Sequence, residues 1–172
     1  MTPGTSYARF RLGYTASQVE SPTGRADSGE VEDYTVVIAD PPRLTIAKVS
    51  NGGTGTFPFT VTGATIGTDS VTTTASGSAL ASATLHIGTA GTPVTVSETV
   101  PAGWRATTAS CTDTNSAVSG NTNPVNAALS GYPVAAGGTA SVTIPAANAR
   151  NNATIVCTFT NEKLARLTIV KT

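Results

Sequence analysis

The sequence predicts an all-β protein organised around an Ig-like antiparallel β-sandwich, and three observations lead to this prediction. Thr, Ala, Ser, Gly and Val dominate the chain, whereas charged residues make up only 12% of it, so no long charged helical face is available. No stretch keeps the apolar period of about 3.6 residues that a helix needs. Short alternating stretches separated by Gly, Asn, Pro and Ser turns recur instead, and 172 residues suffice to bury one core.

Residues 1–39 predict a β-hairpin. Apolar residues alternate from Tyr7 to Tyr14 and again from Val31 to Ile38, and a polar stretch rich in turn formers joins them. Because two strands alone are marginally stable in water, we expect this hairpin to pack on the rest of the chain, on a partner or on further sequence. Residues 40–43 contain two prolines and predict a short stiff linker.

Residues 44–163 predict the sandwich itself. The long Asn- and Gly-rich stretch from 115 to 131 is expected to form a loop or a short helix. We expect strands near residues 43–50, 57–63, 70–75, 80–87, 92–100, 103–111, 130–135, 139–145 and 152–162.

The last segment, residues 164–172, repeats the first strand of the sandwich. The sequence from Arg166 to Thr172 matches that from Arg43 to Val49 almost residue for residue, and Lys171 occupies the place of Lys48. This repeat predicts an orphan strand, either the first strand of a following repeat or a strand donated to a neighbouring copy. Donation would assemble copies of the protein into a filament, whereas the other interpretation makes both ends boundaries within a longer polypeptide.

Three predicted strands each carry one polar residue on an otherwise apolar face. Burying an amine or a carboxylate costs several kcal/mol (about 3–5) unless the group is paired or neutralised, so three such residues in one core require a chemical explanation. The three are Lys48 in line with Leu44 and Ile46, Glu98 in line with Val94 and Val96, and Asn161 in line with Cys157 and Phe159.

The two cysteines, Cys111 and Cys157, favour a disulfide. Their spacing fits no metal knuckle, and the chain has one histidine, His86. A disulfide would imply an oxidising, extracellular compartment, and the alternative is two buried thiols in a cytosolic domain.

The composition also argues against several function classes. The net charge is zero, which provides no electrostatic footprint for nucleic acid, and no apolar run is long enough to span a membrane. No set of nucleophile, base and acid is visible and no cofactor motif is present, so we do not expect an enzyme.

His86 is expected to be a surface or strand residue, and Trp104 a core anchor rather than a sugar-stacking platform.

Four acidic residues are weak candidates for calcium. Asp27, Glu30, Glu32 and Asp33 are close in sequence, but their spacing matches no calcium loop, and a solvated acidic turn is the simpler interpretation.

The residues from Leu44 to Lys163 resemble the prealbumin-like, collagen-adhesin B-type (SpaA-like) repeat domains of bacterial surface proteins. The resemblance depends on LTIAKV as first strand, VTVSETVPAGW around a glutamate and CTFTNEK as last strand. It implies an intramolecular isopeptide bond between Lys48 and Asn161, assisted by Glu98. The stretch GEVEDYTVVI is similar to the C-terminal hairpin of the GEVEDY-type domain of such proteins.

The resemblance implies a structural module of an extracellular bacterial stalk, fibre or adhesin, on the cell surface or secreted. Its partners would be neighbouring copies or repeats, and a host or matrix surface is a further candidate. Two alternatives stay open: a module whose loops bind glycan, calcium or a host protein, and an ordinary buried or half-exposed Lys48–Glu98 pair with Asn161 capping a strand end.

Overall fold

The computed structural model describes residues 4–24 and 29–166 of the chain. They fall into two compact units, divided between Asp40 and Pro41. Within these residues the regular structure is almost entirely β-strand, as the sequence predicted.

The first unit is a two-stranded antiparallel hairpin. Strand β1 (Gly4–Leu12) pairs along its whole length with β2 (Glu30–Ile38), and a short 3-10 turn (Ala16–Gln18) lies in the connection. Both strands were expected from their alternation, but β1 ends before Tyr14.

The second unit is a β-sandwich. Its elements are β3 (Arg43–Asn51), β4 (Thr56–Thr62), β5 (Thr68–Thr72), β6 (Leu80–Ala81), β7 (His86–Ile87), β8 (Val94–Thr99), β9 (Trp104–Asp113), α1 (Ser116–Ser119), β10 (Thr139–Ile144) and β11 (Thr154–Lys163).

The strands of the second unit form two sheets. One sheet has the order β10-β8-β4-β5, and the other has the order β6-β3-β11-β9 with β7 also paired to β3. The strand pairs are antiparallel except β3 and β11, which run parallel. These are the first and last strands of the unit, so no tight turn joins them and parallel pairing is sterically allowed.

The core lies between the two sheets and is built from alternate residues of each strand. On β11, for example, the buried residues are Ile155, Cys157, Phe159 and Asn161, as the alternation predicted. Trp104 closes one end of the core, where its ring meets that of Phe57 edge to face at a centroid distance of 5.1 Å.

Two predicted strands differ in the structure. The segment 80–87 is split into β6 and β7, because the hydroxyls of Ser82 and Thr84 between them donate to the carboxylate of Asp69. The segment 130–135 is not a strand: Val134 forms an isolated bridge with Ala106, and neighbouring Pro133 has no amide hydrogen with which to continue a ladder.

Strand β9 contains a bulge where it pairs with β11. Thr160 is opposite Thr108 but Asn161 is opposite Ala106, which leaves Thr107 as an extra residue. The Thr107 hydroxyl donates to the Thr160 carbonyl at 3.1 Å. Because of the bulge, buried and exposed side chains alternate without interruption on β11 through Asn161, whereas on β9 the alternation is interrupted at Thr107.

Candidate functional site

The structure brings the three polar residues predicted for the core together. Lys48 on β3 and Asn161 on β11 lie on neighbouring strands of one sheet, and Glu98 on β8 projects from the facing sheet. Each has an exposed fraction of 0%. The alternation of the three strands therefore predicted their burial correctly.

Glu98 contacts both of its partners. The Lys48 amine donates to Glu98 Oε2 at 2.7 Å, and the Asn161 side-chain amide donates to Glu98 Oε1. Within the described residues, Asn161 Oδ1 has no hydrogen-bond partner. Asn161 also lies inside β11, which continues to Lys163, so it does not cap a strand end as one alternative had supposed.

Apolar and small residues surround this group. In the sheets, Glu98 lies between Phe59 and Ala140. The Lys48 amine lies 4.4 Å from the centroid of the Phe57 ring and 6.0 Å from that of Phe159. Such surroundings hold little water, so they penalise a charge on either the amine or the carboxylate.

The environment brings the two pKa values toward each other. Burial lowers the pKa of Lys48 to about 8, although the charge and hydrogen bond of Glu98 act in the opposite direction. The same burial raises the pKa of Glu98 against the opposing effects of Lys48 and Asn161. Moving the proton from the ammonium to the carboxylate therefore costs less here than in water, and it leaves a neutral amine beside an amide.

The two cysteines form the predicted disulfide, so the alternative of two free thiols is wrong. Cys111 and Cys157 are directly opposite on β9 and β11, and both are fully buried. The disulfide joins neighbouring strands of the sheet that also carries Lys48 and Asn161.

One comparison with known proteins bears on this site. The family model SpaA_4, described as a prealbumin-like fold domain, matches residues 44–163. The chain belongs to the prealbumin-like fold domain family. No curated protein sequence matches the chain. The matched residues contain Lys48, Glu98, Asn161 and both cysteines of the prealbumin-like domain. They exclude the hairpin, so its relation to GEVEDY-type domains stays a prediction.

His86 of the prealbumin-like domain was expected on the surface or on a strand, and the structure confirms the strand position but buries the side chain. It lies on β7, as a strand residue, with an exposed fraction of 0%. Its Nδ1 lies 2.8 Å from the Ile66 carbonyl oxygen and its Nε2 lies 3.2 Å from Asp69 Oδ2. Because Asp69 belongs to β5 and β7 pairs with β3, this contact joins the two sheets.

Sequence reasoning missed a second buried carboxylate, Asp113. Its oxygens accept hydrogen bonds from the backbone amides of Asn115 and Thr154, the Ser119 hydroxyl and the Asn121 amide. Burial alone would raise the pKa of Asp113, but these hydrogen bonds together hold it below its ordinary value. The Asp-x-Asn sequence at 113–115, typical of a side-chain-stabilised turn, was the available signal.

The weak calcium candidates do not converge. Asp27 lies outside the described residues. Glu30, Glu32 and Asp33 belong to β2 rather than to a turn, and Asp33 points to the opposite face from the two glutamates. There its carboxylate accepts two hydrogen bonds of 2.7 Å from Arg9. Across residues 4–24 and 29–166, no three His, Cys, Asp or Glu side chains gather as metal ligands would.

Two further expectations have different outcomes. Trp104 is a core anchor as expected, with an exposed fraction of 6%. Lys171 and the repeated strand after Arg166 lie outside the described residues. In the part of the chain that the structure describes, no helix has the length and apolar character needed to cross a bilayer.

Proposed function

We propose that this chain is a mechanical module of a bacterial extracellular stalk, fibre or adhesin, and that an isopeptide bond between Lys48 and Asn161 reinforces it. The observation that carries the proposal is the fully buried contact of Glu98 with both the Lys48 amine and the Asn161 amide. Membership of the prealbumin-like family supports the surface location.

The chemistry follows from the proton positions. Glu98 takes the proton of the Lys48 ammonium, and the neutral amine attacks the Asn161 side-chain carbonyl carbon. A new carbon–nitrogen bond forms, the bond from that carbon to Nδ2 breaks, and Glu98 returns protons so that ammonia leaves. The reaction occurs once per chain, and the fold supplies its near-attack geometry.

Neutral Glu98 has a second role in this scheme. Rotation of the Asn161 amide by half a turn puts Oδ1, which has no partner among the described residues, against Glu98 Oε1. A protonated Glu98 can then donate to this oxygen and polarise the carbonyl as the amine attacks.

The position of the bond suits a load-bearing role. Arg43 begins β3 and Lys163 ends β11, and these two strands are parallel neighbours. Tension applied at the two ends therefore shears one strand past the other. A covalent bond from Lys48 to Asn161 passes the load through residues 43–48 and 161–163, and it protects all residues between from extension.

Single-molecule pulling on tandem copies tests the mechanical role. With the disulfide reduced, an uncross-linked domain of about 120 residues releases about 400 Å of chain on unfolding, at about 3.4 Å per residue. The proposal predicts no such step for the wild type and a full step for Glu98→Ala. A full-length step in the wild type would contradict the proposal.

A further inference from the structure

Residues 134–139, here called the crossover segment, connect the two sheets beside the candidate site. At one end, the Val134 and Ala106 backbones exchange hydrogen bonds of 2.8 and 2.9 Å. Ala106 is the cross-strand partner of Asn161, at the bulge of β9. The crossover segment is therefore attached next to Asn161, to the sheet that contains β9 and β11.

The other end of the crossover segment is attached next to Glu98. The Val100 amide donates to the Gly138 carbonyl at 2.9 Å, and the Gly137 amide donates to the Val100 carbonyl at 2.8 Å. The segment then enters β10, where Ala140 is directly opposite Glu98. Val100 follows Glu98 by two positions, so this attachment acts on the end of β8 that carries the carboxylate.

The crossover segment is also compact. A Cβ atom at Gly138 would lie 2.8 Å from Val134 Cγ1 and 3.1 Å from the Ala135 oxygen, closer than side chains normally approach. Gly137 has a φ of 79°, a left-handed conformation that favours glycine. Extra volume at Gly138 therefore requires Val134, at one attachment, or the neighbouring Ala135 carbonyl to shift.

The loop before the crossover segment packs over the same region. Leu129, Tyr132 and Val134 lie partly buried against the core, and the Tyr132 hydroxyl donates to the Ser141 carbonyl at 3.2 Å. Burial raises the pKa of Tyr132 to about 12, and the negative charge of Glu98 acts in the same direction. This loop and the crossover segment together cover the side of the sandwich at the level of the site.

We propose that the crossover segment is a positioning element for the cross-link. It fixes the distance between the sheet that carries Glu98 and the sheet that carries Lys48 and Asn161, so that one carboxyl group can contact both partners. This inference rests on the proposed function. Misplacement of reacting groups by about 1 Å can reduce a rate on the order of a hundredfold, so a small shift of the segment has a large kinetic effect.

The test measures cross-linking and folding separately in the same samples. The complete chain is made by cell-free synthesis, aliquots are quenched in acid, and intact mass after disulfide reduction gives the fraction that has lost ammonia. Fluorescence of Trp104, the single tryptophan, reports the folded fraction in parallel. We expect Gly138→Ala to fold yet to lose ammonia about tenfold to a hundredfold more slowly.

Two variants control for general effects. Gly67→Ala makes the same substitution where the nearest atom is 3.8 Å from the added Cβ, and it should cross-link at the wild-type rate. Ile144→Val removes a buried methylene at the far end of β10, opposite Val94 rather than Glu98. It should lower stability without slowing ammonia loss from the folded chain.

Val134→Ala provides a second variant in case Gly138→Ala does not fold. It loosens the attachment of the segment without a clash and should slow ammonia loss severalfold. Wild-type rates in every folded variant of the segment would overturn the positioning role while the proposed function stands, as would equal slowing by Ile144→Val. Absence of ammonia loss in the wild type itself would overturn the proposed function.

Discussion

Replacing Glu98 with glutamine separates the chemistry of the site from its packing. Glutamine has nearly the same shape, and its oxygen can still accept from Lys48 while its amide can donate to Asn161 Oδ1. It cannot, however, accept the lysine proton or return it to the leaving group. We therefore expect Glu98→Gln to fold, to keep the full mass and to be less stable than the wild type.

The size of the effect follows from the loop that the bond closes. Lys48 and Asn161 are about 110 residues apart, but the Cys111–Cys157 disulfide already bridges 46 of those positions, so the effective loop is roughly 70 residues. In the chain-entropy model, closing such a loop stabilises the fold by about 4 kcal/mol. At about 4 °C per kcal/mol for a domain of this size, Tm should fall by roughly 15 °C.

The assay is calorimetry together with intact-mass measurement. Glu162→Gln is the matched control, because Glu162 neighbours Asn161 on β11 and its half-exposed pair with Arg105 at 2.7 Å should contribute no more than about 1 kcal/mol. An unchanged Tm for Glu98→Gln, or ammonia loss in that variant, would refute the reasoning.

A double variant distinguishes the cross-link from a simple ion pair. Replacing a buried ion pair by apolar residues of similar volume is often neutral or stabilising by about 1–4 kcal/mol. If the site were only an ion pair, Lys48→Met with Glu98→Leu would keep or raise Tm. If the bond forms, the same double variant loses the stabilisation of the cross-link.

Three further outcomes are expected. Removing the Cys111–Cys157 disulfide, by reduction or by replacing both cysteines with alanine, should lower the free energy of unfolding by about 4 kcal/mol, measured by denaturant titration, without preventing ammonia loss. The rate of ammonia loss should have a bell-shaped dependence on pH, because the productive Lys48–Glu98 pair holds one proton. The rate should fall as pH rises through about 8, where Lys48 loses that proton, and should fall also as pH drops below the raised pKa of Glu98. Timed mass measurements across pH would detect both decreases. Asp113→Ala should lower the free energy of unfolding by about 3 kcal/mol at neutral pH, measured by denaturant titration, and by less in acid. The reason is that a carboxyl group with a lowered pKa stabilises the fold above its ordinary pKa and loses that contribution as pH falls. An equal loss of stability at acidic pH would contradict this role.

The residues of the candidate site could be predicted because strand alternation is local. Leu44 and Ile46 fix which face of β3 is buried, and Lys48 follows two residues later on the same face. The same argument applies to Glu98 and Asn161. Only the pairing of strands decides that these faces meet, and that information came from the family resemblance rather than from periodicity.

Features that depend on distant pairing could not be predicted. The partners of His86 lie about 20 residues away, Ile66 in a loop and Asp69 on β5 of the other sheet, so no local pattern indicated its burial. The parallel pairing of β3 with β11 and the crossover segment depend in the same way on the whole topology. The predicted strand at 130–135 was wrong because the prediction considered only side-chain alternation and not Pro133, which cannot donate a hydrogen bond to a neighbouring strand.

The intact mass of the purified wild-type chain after disulfide reduction tests the central claim most directly. The account predicts a mass lower than that of the sequence by one ammonia, and peptide mapping that joins Lys48 to Asn161. A mass equal to that of the complete sequence, measured on the folded protein, would contradict it.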